Sequence, residues 1–196
     1  MKIKICGIND SAIAREAEAL GADYLGFIFV PGTPRAVTVS QVSQIVQGLS
    51  HRARFVGVFT TASVEEILAT MQTAGLDIVQ LHRLASAEDV RRLQEAGYEV
   101  WTLAGGFPGD GVLFDSSHGE GERTLRTGAW KTILAGGISV GNLSEAMRSG
   151  ADVIDVSGSL EESPGVKTLS RLRAFLRLFT KGGEERGVRC APLPGR

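Results

Sequence analysis

Cysteine is nearly absent. Of 196 residues only Cys6 and Cys190 carry thiols, one near each end, which excludes a disulfide framework and suits a reducing compartment. Metal-ligand spacing is missing as well. Three histidines and two cysteines form no zinc-like pattern, there is no Walker loop, and the scattered glycines make no dinucleotide fingerprint. Charge of one sign is lacking too: a formal net charge of -1 leaves no electrostatic footprint for nucleic acid or an anionic membrane surface. No apolar run is long enough to cross a bilayer, and no basic segment leads into an apolar one after Met1. The sequence therefore predicts a cytoplasmic protein without membrane or nucleic-acid partners.

What is present is one repeated unit. A 43% hydrophobic content supplies a single substantial core, and no linker divides the chain. Short apolar strands alternate with amphipathic helices, a pattern of parallel strands with helical crossovers. Strands are predicted at 2–6, 24–30, 55–59, 78–82, 99–103, 111–115, 132–135 and 153–156. Helices are predicted at 11–20, from a Ser40 cap to 48, from 63, at 87–96, near 124–128, at 140–149 and at 169–179. Between the fifth and sixth strands only 104–110 intervenes, rich in glycine and proline, so no fifth helix fits. This order predicts a single-domain (βα)8 TIM barrel over 1–180, with helix 5 replaced by a short loop. An open doubly wound sheet is the competitor. Residues 181–196 lack apolar periodicity and are predicted to be a disordered tail.

In such a barrel the chemistry gathers at the carboxyl ends of the strands. The opening segment Lys2-Ile-Lys-Ile-Cys-Gly-Ile8 alternates, which puts Ile3 and Ile5 on one face and Lys2, Lys4 and Cys6 on the other. Taken alone, Cys6 reads more often as a small buried hydrophobe; but it ends its strand pointing inward, with Lys4 roughly 7 Å away, whose charge favours the thiolate. Closing the barrel sets the inward series Val153, Asp155 and Ser157 beside strand one, so Lys4 and Asp155 are expected to pair, a contact open to a purely structural role. Asp115 ends strand six, where it either caps the loop or pairs with the thiol as acid to its base. Gly136 and Gly137 after strand seven, with Ser157, Gly158 and Ser159 after strand eight and a short helix starting near Leu160, form a candidate phosphate cradle. Arg35 lies on the rigid loop Pro-Gly-Thr-Pro-Arg35, placed to grip a carboxylate or stack on a ring. His82 ends strand four, as a substrate contact or a satisfied core histidine.

With these residues the sequence resembles phosphoribosylanthranilate isomerase, the barrel enzyme of tryptophan biosynthesis. The resemblance rests on Lys-Ile-Cys-Gly-Ile8, Leu-Gly-Phe-Ile-Phe29, Pro34-Arg35, Gly-Val-Phe59, Val-Gln-Leu-His82, Phe-Asp-Ser116, Leu-Ala-Gly-Gly137, Asp-Val-Ser157, Glu161 and Pro-Gly-Val-Lys167, in the family's order. It implies an Amadori rearrangement of N-(5-phosphoribosyl)anthranilate to 1-(2-carboxyphenylamino)-1-deoxyribulose 5-phosphate, with no metal or cofactor. By the same resemblance Cys6 is the general base, Asp115 the general acid, Arg35 the holder of the anthranilate moiety, and the glycine turns the phosphate site.

The chain departs from the family pattern at three loops. Arg83 follows His82 where glycine is usual, His-Gly-Glu-Gly121 and Thr-Gly-Ala-Trp130 stand after strand six, and Ser157-Gly158-Ser159 shifts a glycine one place back. The sister isomerase of histidine biosynthesis resembles this fold but has an aspartate where Cys6 stands. A catalytically silent phosphate-binding barrel is the rival of another class. For assembly the expectation is a monomer or weak homodimer.

Overall fold

The structure, a computed structural model, describes residues 1–115 and 129–184. In chain order the elements are β1 (Lys2–Cys6), α1 (Ser11–Ala19), β2 (Tyr24–Ile28), α2 (Val39–Gln47), β3 (Arg54–Phe59), α3 (Val64–Ala74), β4 (Ile78–Leu81) and α4 (Ala87–Glu95). They continue with β5 (Glu99–Leu103), β6 (Gly111–Asp115), β7 (Lys131–Ala135), α5 (Leu143–Arg148), β8 (Val153–Val156) and a 3-10 turn at Gly158–Leu160. The hairpin β9 (Glu161–Ser163) and β10 (Val166–Lys167) precedes α6 (Leu169–Glu184). Strands β1 to β8 form one closed barrel in sequence order. Parallel pairing of β1 with β8, Lys2 against Val153 and Lys4 against Asp155, closes it and removes the open-sheet alternative.

Alternation along each strand produces two cores. Outward residues such as Ile3, Ile5, Leu25, Phe55 and Val79 pack under the helices. Inward residues, among them Tyr24, Val56, Ile78, Trp101, Ile133 and Val153, fill the barrel. Its amino-terminal floor is polar: Glu99 accepts from Lys131 Nζ at 2.6 Å and Trp101 Nε1 at 2.7 Å, and also pairs with Arg54. Burial alone would raise the Glu99 pKa, but these donors hold it at about 2.

Helix ends follow local capping chemistry with instructive exceptions. Asp10 caps α1 through Ala12 and Ile13 N–H, and Ser63 with Glu66 closes a capping box on α3. The expected Ser40 cap is replaced by Thr38, whose Oγ1 accepts from Gln41 N–H at 3.2 Å, so Ser40 lies inside the helix. Helix α5 starts at Leu143, not at 140, because Asn142 Oδ1 accepts from Ser139 N–H and holds 139–142 as a turn. The last helix reaches Glu184, so 181–184 of the expected tail are helical, while 185–196 lie outside the described residues. Residues 104–110 hold no helix, as expected, and the helix predicted near 124–128 also lies outside the described residues.

One buried acid fixes a loop. Glu18 on α1 accepts from Ser50 N–H and Oγ and from Arg52 and Ala53 N–H, at 2.8 to 3.4 Å. Burial opposes its charge, but these four bonds lower its pKa. Glu18→Ala is expected to destabilise the fold by about 1–2 kcal/mol, since it strands three backbone donors of which the Ala53 N–H is buried. A urea titration reads this directly, and an unchanged midpoint refutes it.

Candidate active site

The site begins with what β1 turns inward. Lys4 is fully buried and donates to Asp155 Oδ2 at 2.7 Å, the pair that alternation and barrel closure predict. Burial, the largest influence, disfavours the ammonium, yet Asp155 and Cys6 outweigh it and the Lys4 pKa is raised. Cys6, one turn of the pleat higher, is also buried. Burial, the largest influence, pushes the thiol pKa up; Lys4 draws it down, as its spacing predicts, and Lys167 does so too, but the net shift is upward.

Gly26 on the neighbouring strand makes the Lys4 and Cys6 arrangement possible. A Cβ at Gly26 would lie 3.0 Å from both Cys6 Sγ and Lys4 Cε. Sequence reasoning passed over this residue, although a glycine within a strand is itself a signal that something approaches closely.

Above this layer a cavity of about 570 Å³ opens at the carboxyl ends of the strands, large enough for a drug-sized ligand. Cys6, Arg35, His82, Asp115 and Asp155 all line it, as do Gly136, Gly137, Ser157, Gly158 and Ser159. The structure thus gathers every candidate site residue into one cavity. His82 Nε2 stands 3.8 Å from Asp115 Oδ2, so the histidine faces the carboxylate across the mouth. Arg83 instead pairs with Asp89 on α4 at 2.8 Å and does not line the cavity. Gln80, buried on β4, also lines it and was missed in the sequence.

On the opposite wall, Gly136 and Gly137 both adopt positive φ, 86° and 63°, and a Cβ at Gly137 would meet nothing within 4 Å. Ser157 Oγ donates to the Cys6 carbonyl at 3.0 Å, tying the end of β8 to the end of β1. The expected helix near Leu160 is only a single 3-10 turn. Ser159 Oγ is shielded from solvent and has no hydrogen-bond partner among the described residues.

Arg35 is held by a residue to which spacing alone assigned no role. Its Nε and Nη2 donate to Glu161 Oε1 and Oε2, each at 2.7 Å. Lys167 Nζ reaches the same carboxylate at 2.8 Å and Ser157 Oγ at 3.4 Å. Burial works against the Glu161 charge, but the two cations and Gly165 N–H bring its pKa to about 2. Among the described residues no cluster of three or more histidine, cysteine or acidic side chains could hold a metal. No helix among them is long and apolar enough to cross a membrane.

A closed parallel eightfold barrel, with its cavity at the carboxyl ends of the strands and glycine turns after β7 and β8, defines a (βα)8-barrel protein of the enzyme type. The particular family follows from comparison. The family model of N-(5'-phosphoribosyl)anthranilate isomerase matches residues 3–177, and the chain belongs to that family. The isomerase of Granulibacter bethesdensis is 32% identical over 202 residues, covering 89% of this chain and 96% of its own. The crystal structure of the Thermus thermophilus isomerase superposes with a TM-score of 0.81 at 32% identity, covering 92% of this chain and 99% of its own. A phosphoribosylanthranilate isomerase solved with reduced 1-(o-carboxyphenylamino)-1-deoxyribulose 5-phosphate superposes at 0.77 with 25% identity, covering 92% and 99%.

Proposed function

We infer that this chain catalyses the Amadori rearrangement of N-(5-phosphoribosyl)anthranilate, with Asp115 as general acid and Cys6 as general base. The observation that supports these roles is their placement: a carboxyl and a thiol on strands β6 and β1, lining one cavity that Arg35 and the glycine turns also line. Asp115 protonates the furanose ring oxygen, the C1–O bond breaks, and the anilino nitrogen lone pair forms the C1=N Schiff base. Cys6 as thiolate then takes the proton from C2. The electron pair of that C–H bond becomes the C1=C2 double bond while the C1=N π pair returns to the protonated Schiff-base nitrogen, giving a neutral enolamine that gains a proton at C1 and loses the C2 hydroxyl proton to give the ketone.

The remaining residues hold the substrate. Arg35 takes the anthranilate carboxylate. Gly136, Gly137, Ser157, Gly158 and Ser159 take the phosphate; because Ser157 Oγ is engaged with Cys6, its share comes through backbone N–H. Asp155, whose Oδ1 has no partner among the described residues, accepts from a sugar hydroxyl, and His82 borders the reacting carbons beside Asp115. The direct test generates the substrate in place and follows its fluorescence. Wild-type protein is expected to abolish the signal at a rate proportional to its concentration. A protein that binds a phosphorylated product analogue yet leaves the signal unchanged is a silent binding barrel instead.

The biosynthetic role supports a cytoplasmic location, which fractionation of the source cells tests. We take the chain as a monomer or weak homodimer; the Thermotoga maritima enzyme is described as dimeric and has been made monomeric. Sedimentation across micromolar concentrations separates these states from a stable dimer.

A further inference from the structure

Two short strands after β8 do more than connect it to the last helix. The hairpin β9–β10 carries Glu161 into contact with a loop 126 residues earlier in the chain and sets Lys167 on the same carboxylate. Its turn is pressed against that loop, since a Cβ on Gly165 would fall 2.2 Å from the Pro34 carbonyl oxygen. Asn9 Nδ2 donates to the Gly165 carbonyl at 2.9 Å, and Gln41 Nε2 donates to the Asn9 carbonyl at 2.8 Å. The Glu161 carboxylate is thus held in place by the end of β1, the start of α2 and its own hairpin.

The guanidinium chemistry gives this anchoring a direction. Arg35 presents its Nε and Nη2 edge to Glu161 in a bidentate pair. A planar guanidinium gripped along one edge has its orientation fixed, and its second edge, Nη1 with the other Nη2 proton, is aimed by the first. Among the described residues Nη1 has no hydrogen-bond partner, and the arginine lines the cavity. That free edge matches a second carboxylate in the same fork geometry. Lys167, whose side chain is 1% exposed, neutralises the charge that Glu161 would otherwise bring to the mouth. The three groups together carry one net positive charge beside the cavity.

We propose that Glu161, supported by Lys167, is a positioning residue that aims the free edge of Arg35 at the carboxylate of the aromatic ring and so sets selectivity for carboxyl-bearing N-ribosyl arylamines. This rests on the isomerase reading above. A purely electrostatic role predicts the opposite sign: Glu161→Gln would raise the local charge and tighten binding of an anion. A positioning role predicts looser binding despite that added charge.

The experiment compares two substrates formed in place, N-(5-phosphoribosyl)anthranilate and N-(5-phosphoribosyl)aniline, which lacks the carboxylate. For Glu161→Gln the KM of the first is expected to rise about tenfold, near 1.4 kcal/mol, with kcat changed less than threefold and the aniline compound's KM within twofold of wild type. Glu161→Asp is the second variant, because it retains the charge and a partner for Lys167 while withdrawing the carboxylate from Arg35. It is expected to shift KM in the same selective way, and it decides the matter if the glutamine variant does not fold. Equal changes for both substrates, or a lower KM for the anthranilate compound, overturn the proposal. Wild-type protein that converts neither compound overturns the isomerase reading and this inference with it, whereas a wild type that turns over with insensitive Glu161 variants overturns the inference alone.

Discussion

Cys6→Ala and Asp115→Asn are each expected to lower kcat by roughly 10²- to 10⁴-fold, the range associated with losing a positioned acid or base, while the barrel stays folded. Asparagine is isosteric with the aspartate, so the second variant tests protonation and not shape. Cys6→Ala removes one buried sulfur that lies against Gly26 and Lys4, a modest loss of packing on the scale of core truncations. The pH profile adds an independent test. Cys6 must act as thiolate, and burial raises its pKa above the ordinary value near 9.0. The thiolate fraction therefore climbs with pH throughout the neutral and mildly alkaline range. Log kcat/KM is expected to increase with unit slope from about pH 7 to pH 9. Cys6→Ser should lose this arm together with its activity, because a serine hydroxyl does not ionise there. A wild-type profile that is flat over the same range removes the thiolate from the rate-limiting chemistry.

The direction of that thiol shift shows where the sequence stops being informative. Period-two alternation in β1 places Lys4 and Cys6 on the inner face, and closure against β8 brings Asp155 to Lys4, so the ion pair is legible from spacing. The balance between a neighbouring cation and desolvation is not legible, because it depends on how many atoms surround the sulfur. Arg35 was readable as a rigid loop arginine aimed at an anion, but its carboxylate partner sits on a hairpin of three and two residues. Strands that short carry no periodicity, and nothing local to Glu161 points to a loop 126 residues away. The ends of β4 and β6 were readable as neighbours of one mouth, whereas the 3.8 Å approach of His82 to Asp115 depends on barrel curvature. Thr38 displaced Ser40 as a cap because two hydroxyls compete two residues apart, and only the backbone conformation selects between them.

Lys4→Met is expected to destabilise the protein by about 3–5 kcal/mol, the cost of leaving one member of a buried ion pair uncompensated. Asp155→Leu should cost a similar amount, since it strands an ammonium that has no access to solvent. The combined Lys4→Met/Asp155→Leu protein is expected to recover most of that loss, because two apolar side chains replace two desolvated charges. Stability against pH carries the matching sign. The folded-state pKa of Lys4 is raised above 10.5, so its contribution is fully present below the unfolded value and disappears as pH rises through the folded one. Wild type should thus lose stability at strongly alkaline pH by a term that the double variant lacks. Catalysis distinguishes what the pair is for. Lys4 lowers the Cys6 pKa even though burial wins overall, and removing it should move the alkaline arm of kcat/KM to higher pH, cutting the rate at pH 8 by at least tenfold. A double variant that folds like wild type but ionises Cys6 at higher pH assigns the buried charges to catalysis. One that folds equally well and keeps the alkaline arm at the wild-type pH shows that the pair takes no part in ionising Cys6.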